Sequence, residues 1–275
     1  MLWVRFIVLF ILFLLGRHSC FPNSPRYLEL ADSADYYIAK ENWGLAESKI
    51  MEALRLEPAN FSNSMLLSNL GIVQLHKGEY RKAIETFSMG LNIAPSSTVL
   101  LNNRAHTYLI LDSIEAAQKD IDRSLSIDSI QEWALQSRGY LYLQNNEIES
   151  AERIFRKLRN SFPDNDSALY GMAAIAETRN QLEEAKKFYN EALERHPEDE
   201  DAREALILLL IKLNDYTAAR GEIKKGLSLN PENGVYYLLR GYLHRLNYRH
   251  QEAEADKKIA IAKGLDAEYV SGYIP

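Results

Sequence analysis

The sequence predicts an all-α fold in which αα-hairpins stack into a superhelical solenoid. Two apolar runs of helical period flank a short polar break, which is the pattern of an αα-hairpin. Alanine recurs along the chain at a constant interval, and a small residue and a proline keep fixed distances from it. Since one αα-hairpin cannot bury its own apolar faces, a regular series of them predicts a stack of neighbours.

The clearest hairpin lies between Leu70 and Pro95. Two apolar runs, each about a dozen residues long, are joined by the polar break 77–79, whose central residue is a glycine. Two helices approach closely only where a side chain is nearly absent, so Gly71 is expected to face Ala83 across the hairpin. Pro95 is expected to end the second helix.

An alanine that returns at a fixed interval defines the repeated unit. The first interval is 37 residues and every later interval is 34. The alanines are Ala46, Ala83, Ala117, Ala151, Ala185, Ala219 and Ala253. Twelve residues before them stand Ala34, Gly71, Ala105, Gly139, Ala173, Ile207 and Gly241. Twelve residues after them stand Pro58, Pro95, Ser129, Pro163, Pro197, Pro231 and Leu265.

This pattern resembles the tetratricopeptide repeat family, whose repeats carry W-x2-L-G-x2-Y, then A-x3-F, then P at a period of about 34. The resemblance covers Tyr27 to Leu265 and implies seven repeats. Their implied boundaries are 27–63, 64–97, 98–131, 132–165, 166–199, 200–233 and 234–265. Where the family carries tryptophan, five repeats carry leucine, the sixth carries Arg203 and the seventh Tyr237. Arg203 therefore marks the repeat whose packing departs most from the pattern.

Composition favours one folded repeat array and excludes some partners. Of 275 residues, 47% are hydrophobic and 25% charged, which is ordinary for a folded chain. The net charge of -6 argues against a nucleic-acid or anionic-membrane partner, because those need a basic surplus. Cys20 is the only cysteine, so an intrachain disulfide is impossible.

Residues 1–20 are predicted to be a signal peptide rather than part of the fold. Their apolar run, from Phe6 to Leu15, is shorter than the roughly 17–25 residues that cross a bilayer and fits a signal-peptide core. The segment resembles a bacterial lipoprotein signal, which implies lipidation of Cys20. Arg17 stands where such signals carry an aliphatic residue, so an uncleaved N-terminal anchor and simple secretion remain alternatives.

Short segments flank the predicted array at both ends. Residues 21–26 contain two prolines and are expected to form a tether between the membrane and the repeats. Residues 266–275 are too short for a full capping helix, but their apolar side chains are expected to cover the last repeat. The expected localisation is the cell envelope or periplasm, with lipid anchoring to a membrane.

No motif for catalysis, cofactor binding or metal binding occurs in the sequence. The G-x-G-x-x-G, P-loop, H-E-x-x-H and G-x-S-x-G patterns are all absent. His244 and His250 are six residues apart, which puts them on different sides of a helix or across a turn, whereas a metal site needs ligands that converge. We therefore predict a chain without enzyme activity, catalytic residues, cofactors or bound metal.

The first helix of each repeat offers the remaining surface for function. Repeat positions 4, 7, 8 and 11 are used for packing, so positions 2, 5, 9 and 12 point to the opposite side. The family resemblance implies that this side lines a concave groove that binds extended or helical peptides. The residues predicted to line it are Asn102, His106, Trp133, Gln136, Tyr140, Tyr170, Glu177, Asp201, Glu204 and Tyr242.

Two interpretations stay open for these groove side chains. The aromatic residues are either rigid anchors for a partner chain or packing residues of neighbouring helices. The acidic residues form either a patch for a basic partner or a solvated helix face.

The function predicted from the sequence is that of an exported, membrane-anchored, non-enzymatic scaffold that binds protein or peptide partners in the groove. Membrane contact is expected only through the N-terminal segment, and the oligomeric state stays open. The alternative is an assembly or regulatory subunit of an envelope enzyme, secretion or transport complex.

Overall fold

The computed structural model describes residues 23–274, and all regular structure within them is α-helical. Consecutive helices pair into seven αα-hairpins, followed by one short helix. The predicted fold class, an all-α solenoid of αα-hairpins, is therefore confirmed. The predicted signal peptide, Cys20 and the start of the tether lie outside the described residues.

The chain divides into two compact units, and the first ends at Ile127. Its described part contains three hairpins, and the second helix of the first and of the second hairpin also packs on the first helix of the following one. The helices are α1 (Pro25–Ala39), α2 (Trp43–Leu56), α3 (Asn63–His76), α4 (Tyr80–Ile93), α5 (Thr98–Ile110) and α6 (Ile114–Ile127).

The second unit begins at Asp128 and contains four hairpins and the short last helix. Its helices are α7 (Glu132–Gln144), α8 (Ile148–Ser161), α9 (Ser167–Thr178), α10 (Leu182–Arg195), α11 (Glu200–Lys212), α12 (Tyr216–Leu229), α13 (Gly234–Leu246), α14 (His250–Ala262) and α15 (Ala267–Tyr273). Val270 and Ile274, at the end of the chain, are buried with Leu238, Ala253 and Ala260 against the last hairpin.

The recurring alanines lie in the core of their units, as close packing of helix pairs requires. All seven are buried, and six of them have no exposed surface. The expected contact of Gly71 differs in detail, because its nearest side chain is Phe87, one turn beyond Ala83. A ring therefore fills the space that the absent side chain leaves, and this brings α3 and α4 together.

One left-handed residue closes the turn inside every hairpin. These residues have φ between 54° and 75°, and only Gly78 among them is a glycine. In the second hairpin the Gly78 N–H donates to the Leu75 carbonyl at 2.9 Å and the Glu79 N–H to the Gln74 carbonyl at 2.8 Å, which is a Schellman motif. The set is Glu41, Gly78, Asp112, Asn146, Asn180, Asn214 and Tyr248.

Candidate functional site

The first-helix face of the second unit carries most of the predicted groove residues. We define this face as repeat positions 2, 5, 9 and 12 on α7, α9, α11 and α13. Helix α7 contacts α9, and α11 contacts α13, so the face continues from one hairpin to the next within each of these pairs.

Three predicted residues follow one another along the face of α7. Trp133, Gln136 and Tyr140 are three and four residues apart, which places them on one side of the helix. Trp133 and Gln136 are half-buried. Tyr140 packs edge-on against Phe155 with ring centroids 5.2 Å apart, and its hydroxyl donates to the Ser167 carbonyl at 3.4 Å. Burial raises the pKa of Tyr140. Tyr140 therefore links α7 to α8 and α9, and 38% of its surface stays exposed.

The predicted residues on α9 are both engaged in hydrogen bonds to the next helices. The Tyr170 hydroxyl donates to Asp199, whose carboxylate also caps α11 by accepting the Ala202 N–H at 2.8 Å. Burial, and then Asp199, raise the pKa of Tyr170. Glu177 accepts a hydrogen bond of 2.8 Å from the Tyr189 hydroxyl on α10. Glu177 therefore links the two helices of the fifth hairpin, and Tyr170 links the fifth hairpin to the sixth.

The acidic residues on α11 are more available to a partner. Asp201 lies in the first turn and is exposed, where a carboxylate also stabilises the positive end of the helix dipole. Glu204 is half-buried one turn later. Burial raises the pKa of Glu204, and the charge of Asp201 raises it further.

Tyr242 on α13 is covered by the end of the chain. Its ring packs edge-on against Tyr273 of α15, with centroids 5.5 Å apart. Nη1 of Arg245, one turn later on α13, donates to the Tyr273 carbonyl at 2.9 Å. From the sequence we predicted that side chains of residues 266–275 would cover the last repeat. The contact between Tyr273 and the groove residue Tyr242 was not predicted.

Asn102 and His106 lie in the first unit, one turn apart on α5. Oδ1 of Asn102 is buried and has no hydrogen-bond partner among residues 23–274. Desolvation lowers the pKa of His106, although the residue as a whole is exposed.

Within residues 23–274, no group of three or more histidine, aspartate or glutamate side chains is placed to hold a metal ion. In the same part of the chain, no helix combines the length and the apolar character that crossing a membrane requires.

Sequence reasoning missed the partners that engage the predicted side chains. Asp199, Tyr189 and Tyr273 lie 29, 12 and 31 residues from the groove residues that they contact. The recurrence at 34 residues marks Tyr189, which takes the aromatic position of A-x3-F four residues after Ala185, but it does not show that Tyr189 bonds to Glu177. An acidic helix-start residue such as Asp199 was the other visible signal.

Three family models, each described as tetratricopeptide repeat, match residues 99–131, 137–200 and 176–241. A comparison with curated protein sequences finds no match.

Three solved structures resemble this chain over most of its length. A tetratricopeptide repeat protein from Parabacteroides merdae is 27% identical, with a TM-score of 0.72 over 91% of this chain and 98% of its own. PilW, a type IV pilus biogenesis factor, is 18% identical, with a TM-score of 0.68 over 77% and 98%. The Pseudomonas aeruginosa protein pilF is 17% identical, with a TM-score of 0.63 over 76% and 96%. The last two show a common fold alone.

Proposed function

Because this chain is built of tetratricopeptide repeats, we propose that it is a non-enzymatic scaffold, exported and lipid-anchored, that binds partner polypeptides on its first-helix face. Tetratricopeptide repeats bind protein or peptide partners, which supports the general role. The observations that support the finer proposal are the neighbouring indole and amide side chains on α7 and the carboxylates at the same repeat positions on α11.

The structure narrows the residues to which we assign binding. Tyr140, Tyr170 and Tyr242 pack on or hydrogen-bond to other parts of the second unit, which favours the packing interpretation for these tyrosines. Trp133 and Gln136 are half-buried on the same face as the exposed Asp201. A tryptophan that is partly buried before binding loses little side-chain freedom on complex formation, which suits an anchor.

A double substitution on α7 tests this assignment. Trp133→Ala with Gln136→Ala is expected to weaken partner capture by about tenfold or more, since truncated tryptophan anchors are among the costliest interface changes. The control pair Arg153→Ala with Lys187→Ala alters two exposed side chains on second helices of the same unit. Capture is measured by cross-linking and quantitative mass spectrometry of envelope fractions, with circular dichroism to verify folding. If the α7 variant and the control variant captured equal amounts of partner protein, α7 would not be part of the binding surface.

Export and lipidation are proposed from the sequence of residues 1–20 and need their own experiment. Mass spectrometry of the mature N-terminus distinguishes an acylated Cys20, an intact Met1 and an unmodified cleaved end. Cys20→Ser is expected to release the protein from membranes, because a cleaved chain without its acyl groups has lost its anchor. Unchanged membrane retention of this variant would contradict lipidation.

Co-purification separates the scaffold from the alternative role. Several partners held in varying amounts support the scaffold. One partner enzyme or secretion machine held in fixed stoichiometry supports an assembly or regulatory subunit instead.

A further inference from the structure

A cleft of about 450 Å³ opens between α12 and α13 in the second unit, on faces that carry no predicted groove residue. Its floor is made by the aliphatic side chains of Ile223, Leu227 and Leu243. Its rim carries Arg220 and Lys224 on α12 and Arg249 just before α14. On α13, the lining positions lie on the side of the helix opposite Tyr242 and its face.

The shape of the cleft follows from how α12 and α13 meet. The ring of Tyr236 lies against Gly226, where a Cβ would be only 2.5 Å from the ring, so the helices approach closely there. Most of the lining lies beyond this contact, toward the start of α12 and the end of α13. Most of the lining therefore lies on two packed helices, and Asn247 and Arg249 come from the turn that follows α13.

The rim is positively charged in a chain whose net charge is -6. Arg220, Lys224 and Arg249 are exposed, and none of them forms an ion pair with another described residue. The Arg220 Nε–H donates only to the Tyr216 carbonyl, at 3.1 Å.

Two acidic side chains on neighbouring helices, Glu222 of α12 and Asp256 of α14, are paired with other cations. Asp256 accepts from Arg240 at 2.6 and 2.9 Å, and Glu222 pairs with Arg203 at 2.5 Å and with Lys225 at 2.8 Å. Because the three rim cations form no ion pair with a described carboxylate, they favour an anionic occupant.

The lining also selects the kind of anionic occupant. A floor of three aliphatic side chains adds hydrophobic contact that a free phosphate would not use. The volume lies near the lower end of the roughly 300–1,000 Å³ of ligand pockets, which suits one or two aliphatic side chains rather than long acyl chains.

We propose that this cleft binds a short acidic segment of a partner protein. One leucine-like side chain of the segment would occupy the floor, and its flanking carboxylates would pair with Arg220, Lys224 and Arg249. This surface is separate from the first-helix face, so the proposal does not depend on the proposed function of that face.

Fluorescence anisotropy with defined peptides tests the proposal on the full-length protein. The probes are short fluorescein-labelled peptides with leucine, isoleucine or phenylalanine at the centre and aspartate or glutamate on both sides. Members of this set are expected to bind, and to bind about tenfold more weakly when the acids become amides or the central residue becomes alanine. Added salt is expected to weaken binding, because the rim is exposed. If no acidic peptide binds more tightly than the same peptide with asparagine or glutamine in place of its acids, the proposal is overturned.

Matched variants locate the binding. Lys224→Glu with Arg249→Glu is expected to reduce affinity by about tenfold or more, whereas Lys187→Glu with Lys258→Glu makes the same change in net charge and is expected to leave it unchanged. Leu227→Gln keeps the rim but makes the floor polar, and it is expected to remove the preference for an aliphatic centre. Circular dichroism melting verifies that each variant is folded. Equal binding by the two charge-reversed proteins overturns the assignment to the cleft.

Two further measurements identify other occupants. Phosphatidylglycerol vesicles that bind in place of the peptides, and lose binding on reversal of Lys224 and Arg249, would assign the cleft to lipid. A dimer in sedimentation equilibrium that the same reversal dissociates would assign it to a second copy of the chain. Either result overturns the proposal of an acidic partner segment.

Discussion

Arg203 and Glu222 form an ion pair buried between the two helices of the sixth hairpin. Nη1 of Arg203 lies 2.5 Å from Oε2 of Glu222, and Nη2 donates to the Pro197 carbonyl. Arg203 is only 4% exposed, at a position where the other repeats carry leucine or tyrosine. The sequence marked Arg203 as the residue that departs from the repeat pattern. Its charge is accommodated in the core because the Glu222 carboxylate and the Pro197 carbonyl accept its hydrogen bonds.

Removing one partner of this pair is expected to destabilise the protein strongly. Arg203→Met leaves the largely buried Glu222 carboxylate paired only with Lys225, so we expect the free energy of unfolding to fall by about 2–4 kcal/mol. Urea denaturation followed by circular dichroism measures the change, and hydrogen exchange in α11 and α12 locates it.

The second repeat provides the matching rescue. It carries Leu67 and Thr86 at the positions of Arg203 and Glu222. The double variant Arg203→Leu with Glu222→Thr is expected to recover most of the loss, because replacing both buried charges removes the unpaired carboxylate. A double variant as unstable as Arg203→Met would show that the ion pair is not the cause.

Phe155 packs between two glycines of adjacent hairpins, Gly139 and Gly171. A Cβ on Gly139 would lie 2.6 Å from Cζ of Phe155, and the ring cannot retreat because Gly171 is in equally close contact on its own side. Gly139→Ala is therefore expected to destabilise the protein by about 1–3 kcal/mol, despite the better helix propensity of alanine. Thermal melting and urea denaturation measure the effect.

Gly221 is the matched control for helix propensity. It lies within α12, and a Cβ there would meet nothing within 4 Å. Gly221→Ala should stabilise the protein by about 0.5–1 kcal/mol, because only propensity changes. Adding Phe155→Leu to Gly139→Ala should recover part of the loss. If the two alanine substitutions had the same effect, the close contact at Phe155 would not matter energetically.

Tyr248 occupies the left-handed position of the last hairpin turn with φ of 58° and is 86% exposed. A bulky residue in this conformation costs more than asparagine, which three other repeats use there. Tyr248→Asn is expected to raise the free energy of unfolding by about 0.5–1 kcal/mol. The reciprocal change Asn146→Tyr should lower it by a similar amount, and urea denaturation of both tests the sign. If neither substitution changed the free energy of unfolding, tyrosine would cost no more than asparagine at this turn position.

Glu57 makes the start of the first unit sensitive to acid. Its carboxylate accepts from the Ser24 hydroxyl at 2.5 Å, the Ser24 N–H at 2.9 Å and the Asn60 amide at 2.6 Å. The Ser24 hydroxyl, then the Ser24 N–H, lower the pKa of Glu57 below its ordinary range. Because the pKa is lower in the folded state, this contact stabilises the fold above the pKa of an unfolded glutamate, about 4.3, and the stabilisation is lost as pH falls through the folded value.

The acid sensitivity is measurable as local opening of α1. Amide exchange near Ser24 is expected to speed up, relative to α3 in the same molecule, as pH falls below about 4. Glu57→Gln should show faster opening at neutral pH and lose this pH dependence. An unchanged pH profile in the variant would assign the effect to another carboxylate.

The groove residues show how far the sequence predicted the candidate site. Helical spacing placed Trp133, Gln136 and Tyr140 on one face of one helix, and the helix bounds are consistent with it. Spacing did not predict that Tyr140 would rest on Phe155, or that Tyr273 would cover Tyr242. Those contacts join residues from different helices, and the angle between helices decides them.

The sequence by itself determined the helix pairs of this protein and the places where they break. Periodicity, prolines and small residues act within one or two turns of a helix, so their effect is visible in the order of the residues. Only the tertiary structure decided that Phe87 fills the space beside Gly71, that Arg203 finds Glu222, and that α12 and α13 leave a cationic cleft. Each of these depends on side chains that neighbouring helices bring together, and a period of 34 residues does not specify which atoms then meet.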